Sequence, residues 1–493
     1  MKIAFVTTEA VPFAKTGGLA DVSGALPIAL QRLGHEVIVL MPAFRSVHMT
    51  RQPISETDMV VHANIAGRGL SARISRSTLP QSDVPVYFVD NPELFDRQHL
   101  YGDAQGDYQD NPLRFSFFCR ICLQVIDRIC PDLQILHCND WQTGLLPAYL
   151  ATRFDGYQWM QQAKSVLTIH NLAYQGIFPK DTLSLTGLGW EHFHFRALEF
   201  YDQVNLLKAG LSFADALTTV SQRYSEEIQA PEQGCGLDGV LRDRAERLFG
   251  IPNGIDPQIW DPRTDNEIAS TYDAESWKEG KASNRAALRE AFDLPHHHRV
   301  PLVGMIGRLA EQKGWDLVVQ AMRQLFADEP SVQFVVLGTG DPRYQDALKE
   351  LATRYPDRLG LHLGFSDRLA HRIEAGADIF LMPSRYEPCG LNQLYSLRYG
   401  TVPVVQPTGG LADTVTAVDA SSIADGSATG FYLPHYNVEG LVAALTEAVQ
   451  TCNDRPELWD QIVRRGMRQE WSWERSAKQY LRVYEQTISR NEN

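Results

Sequence analysis

"KIAFVTTEAVPFAKTGGLADVSGALPIALQRLGHEVIVLMP" (residues 2–42) decides the fold class. "KIAFVTT" is an apolar run of strand length. A loop with Pro12, Gly17 and Gly18 follows. Leu19, Val22, Leu26, Leu30 and Leu33 then recur at helical spacing until Gly34, and "HEVIVLMP" reads as a second strand. Strand, helix, strand is a βαβ unit, and such units build parallel sheets. "VPVYFVD" (84–90), "LQILHCND" (133–140) and "SVLTIHN" (165–171) add apolar segments that end in polar residues. Ligands of open parallel sheets bind at the carboxyl ends of strands, so those polar ends are the places to look for function.

A second series starts at "RVPLVGMIGRL" (299–309). It continues through "VQFVVLGTG" (332–340), a helix "DALKELATRY" (346–355), "LGLHLGF" (359–365), "ADIFLMPS" (377–384), another helix and "TVPVVQP" (401–407). The expected fold class is therefore α/β, with two successive doubly wound halves. Between them "NGIDPQIWDPRTDNE" (253–267), rich in Pro, Asp and Asn, reads as a linker. The expected domains are 1–256, 257–470 and a C-terminal segment 471–493. In that last segment Ala477, Leu481 and Tyr484 share one helical face.

A chain of 493 residues exceeds one ordinary core, and 44% hydrophobic with 22% charged residues is globular composition. A net charge of -14 argues against nucleic acid as a partner. The first apolar run is interrupted at Thr7, Thr8 and Glu9, too early for a signal-peptide core. No apolar run is long enough to span a membrane. Seven scattered cysteines form no disulfide framework, and cytoplasm is the expected location.

The hexapeptide TGGLAD occurs twice, at residues 16–21 and 408–413. Lys15 precedes the first copy and Pro407 the second. Gly17 and Gly18 allow a ligand close to the backbone, and a helix N-terminus offers N–H groups to an anion. Arg308 and Lys313, in "GRLAEQKGWD", follow a strand and suit a diphosphate. Two unit charges about 4 Å apart interact by roughly 4 kcal/mol at an effective dielectric of 20. In "SRYEPCGLNQLYSLRYG" (384–400), Glu387 precedes a helix expected to hold Pro388, Cys389 and Gly390 in its first turn. Asp140 and His170 stand just past strands of the first half.

Other signals are bland. Cys119 and Cys122 form a CxxC inside a helical pattern without a second pair, so no zinc is expected. His296, His297 and His298 read as a surface loop, and no Asp-x-Asp is present to bridge a metal to a diphosphate. No metal site is expected.

"KTGGLADV", "HCNDWQTGLLPAYL", "TIHNLAYQG", "LEFYDQVNLLKAG", "PNGID", "GRLAEQKGWD", "SRYEPCGLNQLYSLRYG" and "PTGGLADTV", in this order, resemble the bacterial glycogen synthases, the ADP-glucose-dependent relatives of plant starch synthases. The resemblance implies a GT-B glycosyltransferase of two Rossmann-like domains facing a deep cleft. It implies transfer of glucose from ADP-glucose to the non-reducing end of an α-1,4-glucan, with retention. It implies no cofactor, and a C-terminal helix that packs back on the first domain.

Residue by residue, it implies that Lys15, with Gly17, Gly18 and Asp21, contacts the sugar nucleotide. Arg308 and Lys313 would hold the diphosphate, and Glu387 the donor glucose hydroxyls. Cys389, Gly390, Leu391 and Asn392 would bind phosphate through amides. His170 would lie beside the glucose ring, Asn253 beside the donor, Phe365 over the adenine and Asp140 on the acceptor side. Where the wider group of retaining GT-B enzymes has a second glutamate, this chain has Tyr395, as in the glycogen synthase branch. That favours the branch over a UDP- or GDP-sugar transferase. A glucan-binding scaffold without catalysis and a phosphorylase are the other readings. Lys15, Arg308, Lys313 and Glu387 argue against the first, and the second needs a pyridoxal-phosphate lysine.

Overall fold

The structure, a computed structural model, describes residues 1–103, 105–297, 299–327 and 332–490. His298 of the triple-histidine loop and the last three residues of the expected segment 471–493 lie outside the described residues. The chain divides into two compact units, Met1–Gly254 with Trp473–Asn493, and Ile255–Ser472.

The first unit is built on strands β1 (Lys2–Val6), β2 (Glu36–Pro42), β3 (Ser55–Ile65), β4 (Arg68–Thr78), β5 (Pro85–Asp90), β6 (Ile135–Asn139), β7 (Lys164–Ile169), β8 (Ala216–Thr219) and β9 (Leu248–Gly250). Their order across the sheet is β9-β8-β7-β6-β1-β2-β5-β4-β3. β1 pairs in parallel with both β2 and β6, with Val6 opposite Leu40 and Cys138. Strands covered on both faces carry near-continuous apolar runs, and Ala4, Phe5, Val6, Leu136 and Leu167 are fully buried. At the far edge β3 and β4 are antiparallel. They are joined at Ala66 and Gly67, both with positive φ, as a tight hairpin turn requires.

The helix α1 (Gly18–Arg32) buries Leu19, Val22, Leu26 and Leu30. Beside it lies the C-terminal helix Trp473–Ser489. That helix buries Ala477, Tyr480 and Tyr484 in the core of the first unit. The Tyr484 hydroxyl is 2.6 Å from Nδ1 of buried His137, whose Nε2 is 2.6 Å from Thr168 Oγ1.

The second unit contains β10 (Leu302–Ile306), β11 (Gln333–Gly338), β12 (Leu359–Leu363), β13 (Ile379–Met382), β14 (Val402–Val405) and β15 (Phe431–Tyr432). The order is β12-β11-β10-β13-β14-β15, with all pairings parallel. Helices α2 (Asn392–Tyr399) and α3 (Gly409–Thr414) follow β13 and β14.

The linker reading of residues 253–267 is corrected. From Ile255 on, the segment belongs to the second unit. The Trp260 ring stacks between His371 (3.9 Å, 7°) and Tyr395 (3.8 Å, 12°). Asp265 Oδ2 lies 2.7 Å from His371 Nδ1 and accepts from the Tyr399 hydroxyl at 2.6 Å. Asp261 Oδ2 accepts from Arg263 and Arg398, each at 2.6 Å. Two of the acids that suggested a solvated tether, Asp261 and Asp265, are buried partners of the helices beside them.

Candidate active site

In both units the strand order reverses beside the first strand. In the first unit, β1 is followed by β2 on one side, while β6 and β7 lie on the other. The loops after β1, β6 and β7 carry Lys15, Asp140 and His170. In the second, the chain leaves β10 toward β11 and returns through β13. The loops after β10 and β13 carry Arg308, Lys313 and Glu387. Such crevices are where open parallel sheets bind ligands.

The lysine-glycine turn is organised by a residue the sequence reading passed over. Buried Glu9 accepts hydrogen bonds from the Thr16 hydroxyl (2.6 Å), the Thr16 N–H (2.5 Å) and the Gly17 N–H (3.2 Å). It also accepts from the Tyr101 hydroxyl at 2.8 Å. The Thr16 and Gly17 amides therefore already serve a carboxylate. A side chain on Gly17 would meet nothing within 4 Å, so its Cα face is open. Gly18 opens α1. Lys15 Nζ donates to Asp21 Oδ1 at 2.8 Å, with both side chains partly exposed.

Asp140 has φ 55° and accepts the His170 N–H at 2.7 Å. Burial pushes the Asp140 carboxyl up to about 7, against backbone hydrogen bonds from His170 and Asn171. Burial lowers His170 to about 3, and its Nε2 lies 2.9 Å from Asn139 Oδ1. The imidazole is therefore neutral at physiological pH. Asn253 is buried, and its Oδ1 has no hydrogen-bond partner among the described residues.

In the second unit, Lys313 Nζ donates to Glu387 Oε2 at 2.5 Å, and Ser384 Oγ donates to the same oxygen at 3.0 Å. Glu387 is buried and Lys313 partly so. The Arg308 guanidinium is exposed and 3.3 Å from Gln312 Oε1. Phe365, 77% exposed, presents its ring to solvent.

The helix expected to begin at Pro388 begins at Asn392, so Pro388, Cys389 and Gly390 lie in an irregular loop. Gly390 has φ 70°, a left-handed conformation that breaks the helix before it can start. Its carbonyl and that of Cys389 accept from Gln393 Nε2, each at 3.0 Å. Asn392 Nδ2 donates to Ile306 O at 2.9 Å, tying α2 to the end of β10. Among the described residues no group of His, Cys, Asp or Glu could hold a metal ion. Cys119 and Cys122 are buried in a helix, and burial pushes both thiols up.

Residues 2–243 match the family model for the starch synthase catalytic domain, and residues 288–464 that for glycosyl transferases group 1. The glycogen synthase of Rhodopirellula baltica is 47% identical over 500 residues, covering 100% of this chain and 99% of the relative. The chain belongs to the bacterial glycogen synthase family. Within that family, glycogen synthase 2 of Geobacter sulfurreducens is 44% identical, with 98% of each chain covered. The catalytic domain of starch synthase IV from Arabidopsis thaliana, bound to ADP and acarbose, is similar in structure, with a TM-score of 0.91 and 32% identity over 99% of both chains. As a glycogen synthase family member the chain is a glycosyltransferase with two Rossmann-like domains of the GT-B class. No described helix is long and apolar enough to cross a membrane.

Proposed function

We propose that the enzyme transfers glucose from ADP-glucose to the non-reducing end of an α-1,4-glucan, with retention at the anomeric carbon. The observation that carries this is the Lys313–Glu387–Ser384 cluster at the carboxyl ends of β10 and β13, with Arg308 on the same loop as Lys313. A buried carboxylate next to a cation suits the chemistry of a sugar diphosphate: hydroxyls donate to one and phosphate oxygens pair with the other. The relatives named glycogen synthase and the starch synthase structure with ADP support the same reading.

In this reading residues 257–470 bind the sugar nucleotide, and residues 1–256 serve the glucan and the lysine-glycine contact. Arg308 and Lys313 offset charge that grows on the departing diphosphate, which lowers the barrier electrostatically. Glu387 holds the glucose hydroxyls, Phe365 covers the base, and the loop 389–392 approaches phosphate. Lys15, Gly17, Gly18, Asp21 and Asn253 contact the donor, and Asp140 lies on the acceptor side. The C1–phosphate oxygen bond breaks while the acceptor O4 bonds to C1 on the same face, and the O4 proton passes to the leaving phosphate. Neutral His170 stands by the ring, where a backbone carbonyl stabilises the oxocarbenium-like state. Trapping a covalent glucosyl adduct on Glu387 would overturn the same-face course. A cytoplasmic site of action suits a chain whose cysteines are free thiols.

Incorporation of label from ADP-glucose into glycogen, compared with UDP-glucose at equal concentration, tests the proposal. Faster incorporation from ADP-glucose is expected. Folded protein that incorporates none refutes it.

A further inference from the structure

We infer that the second glycine pair, Gly409–Gly410, and the side chain of Gln393 are positioning residues for Glu387. The inference rests on the proposed role of Glu387 toward the donor sugar. It answers why the hexapeptide occurs twice, since the two copies are used differently.

At the first copy the space over Gly17 is open. At the second it is filled by backbone. A Cβ on Gly409 would stand 2.1 Å from the Glu387 carbonyl oxygen, and one on Gly410 would stand 1.9 Å from that of Cys389. Each is more than about 1 Å closer than carbon and oxygen pack. Gly409 also has φ 46°, in the left-handed region. Only glycine at both places lets α3 lie directly on the Glu387 loop.

The contact is also a hydrogen-bonded one. The Gly410 N–H is shared between Glu387 O (3.0 Å) and Pro388 O (3.2 Å). From the other side, Gln393 Nε2 is shared between Cys389 O and Gly390 O, each at 3.0 Å. Thr414 closes the set, because its hydroxyl donates to Gly410 O at 2.6 Å and lies 3.2 Å from Gln393 Nε2. Four consecutive carbonyls of an irregular segment, from Glu387 to Gly390, are thus held by two donors. Gln393 is fully buried, so water cannot replace its amide.

This matters to the carboxylate because its far end is fixed separately, by Lys313 and Ser384. A backbone shift at residue 387 would break that register. A misplacement of about 1 Å in a positioned group can cost around 100-fold in rate.

A double-mutant cycle tests the inference. Gly409→Ala and Gln393→Leu are each made in the wild-type chain and in Glu387→Ala. We expect each to lower turnover about 10–100-fold in the wild-type background and less than about 3-fold once Glu387 is alanine, because coupled residues are not additive. Equal losses in both backgrounds would overturn the inference and leave Gly409 and Gln393 as structural residues. Full turnover in Glu387→Ala alone would instead defeat the proposed role of Glu387. If Gly409→Ala does not fold, Gln393→Met, which nearly keeps the volume but cannot donate, carries the same cycle.

Discussion

Lys313 Nζ and Glu387 Oε2 lie 2.5 Å apart, brought together from the loops after two different strands, β10 and β13. Removing either partner leaves the other in a site with little water. Lys313→Ala and Glu387→Ala are each expected to lower turnover by roughly 10²–10³, the range for one preorganised electrostatic group. Initial rates of glucan elongation with saturating ADP-glucose check this, and unchanged turnover in Glu387→Ala removes it from the site.

The Lys15–Asp21 pair lies on the surface, with side chains 43% and 27% exposed. Such pairs contribute little to stability. Lys15→Ala is therefore expected to keep the wild-type melting temperature while turnover falls by roughly 10²–10³. A large drop in melting temperature with little change in rate would show that the lysine serves the turn and not the ligand.

Glu374 is fully buried, and burial pushes its carboxyl up from an ordinary value of 4.5 to about 8, against a hydrogen bond from Ser396. Across that window the folded chain holds a proton that the unfolded chain gives up. The stability this group contributes is full at acid pH and is lost as pH rises toward 8. Glu374→Gln cannot titrate, so its stability relative to wild type should increase between pH 5 and pH 8.5. Denaturant unfolding at both pH values reads the difference, and a constant gap contradicts the assignment.

Trp260 is held by two ring stacks, with His371 and Tyr395. Stacked aromatic pairs contribute about 0.5–1.5 kcal/mol each beyond area. Trp260→Ala is expected to destabilise the second unit by at least about 1–3 kcal/mol. It should also open the chain near residue 260 to limited proteolysis, where the wild type resists. Early cleavage of the wild type there would restore the linker reading.

The sequence made the βαβ openings legible because apolar runs and helical spacing are local patterns. Val6, Leu40 and Leu136 lie where such runs put them. It misread residues 255–267 because Asp261 and Asp265 look like solvated acids until Arg398, His371 and Tyr399, more than a hundred positions away, are folded against them. The start of α2 was misplaced because Pro388 is a good first-turn residue, and nothing local reveals that Gly390 takes a positive φ over Gln393. In sequence Glu9 reads only as a break in the first apolar run. Only its reach to Thr16, Gly17 and Tyr101 gives it a task. In the candidate site, residue types at strand ends were readable, while the partners that aim them were not.

The helix Trp473–Ser489 completes the core of the first unit, although the whole second unit lies between them in the chain. On the ribosome, residues 255–472 are therefore all available to one another before Tyr480 and Tyr484 emerge. The amino-terminal half, made first, must wait with His137 and its neighbours uncovered until Tyr480 and Tyr484 emerge. The half of the enzyme that starts folding earliest is the one that finishes last.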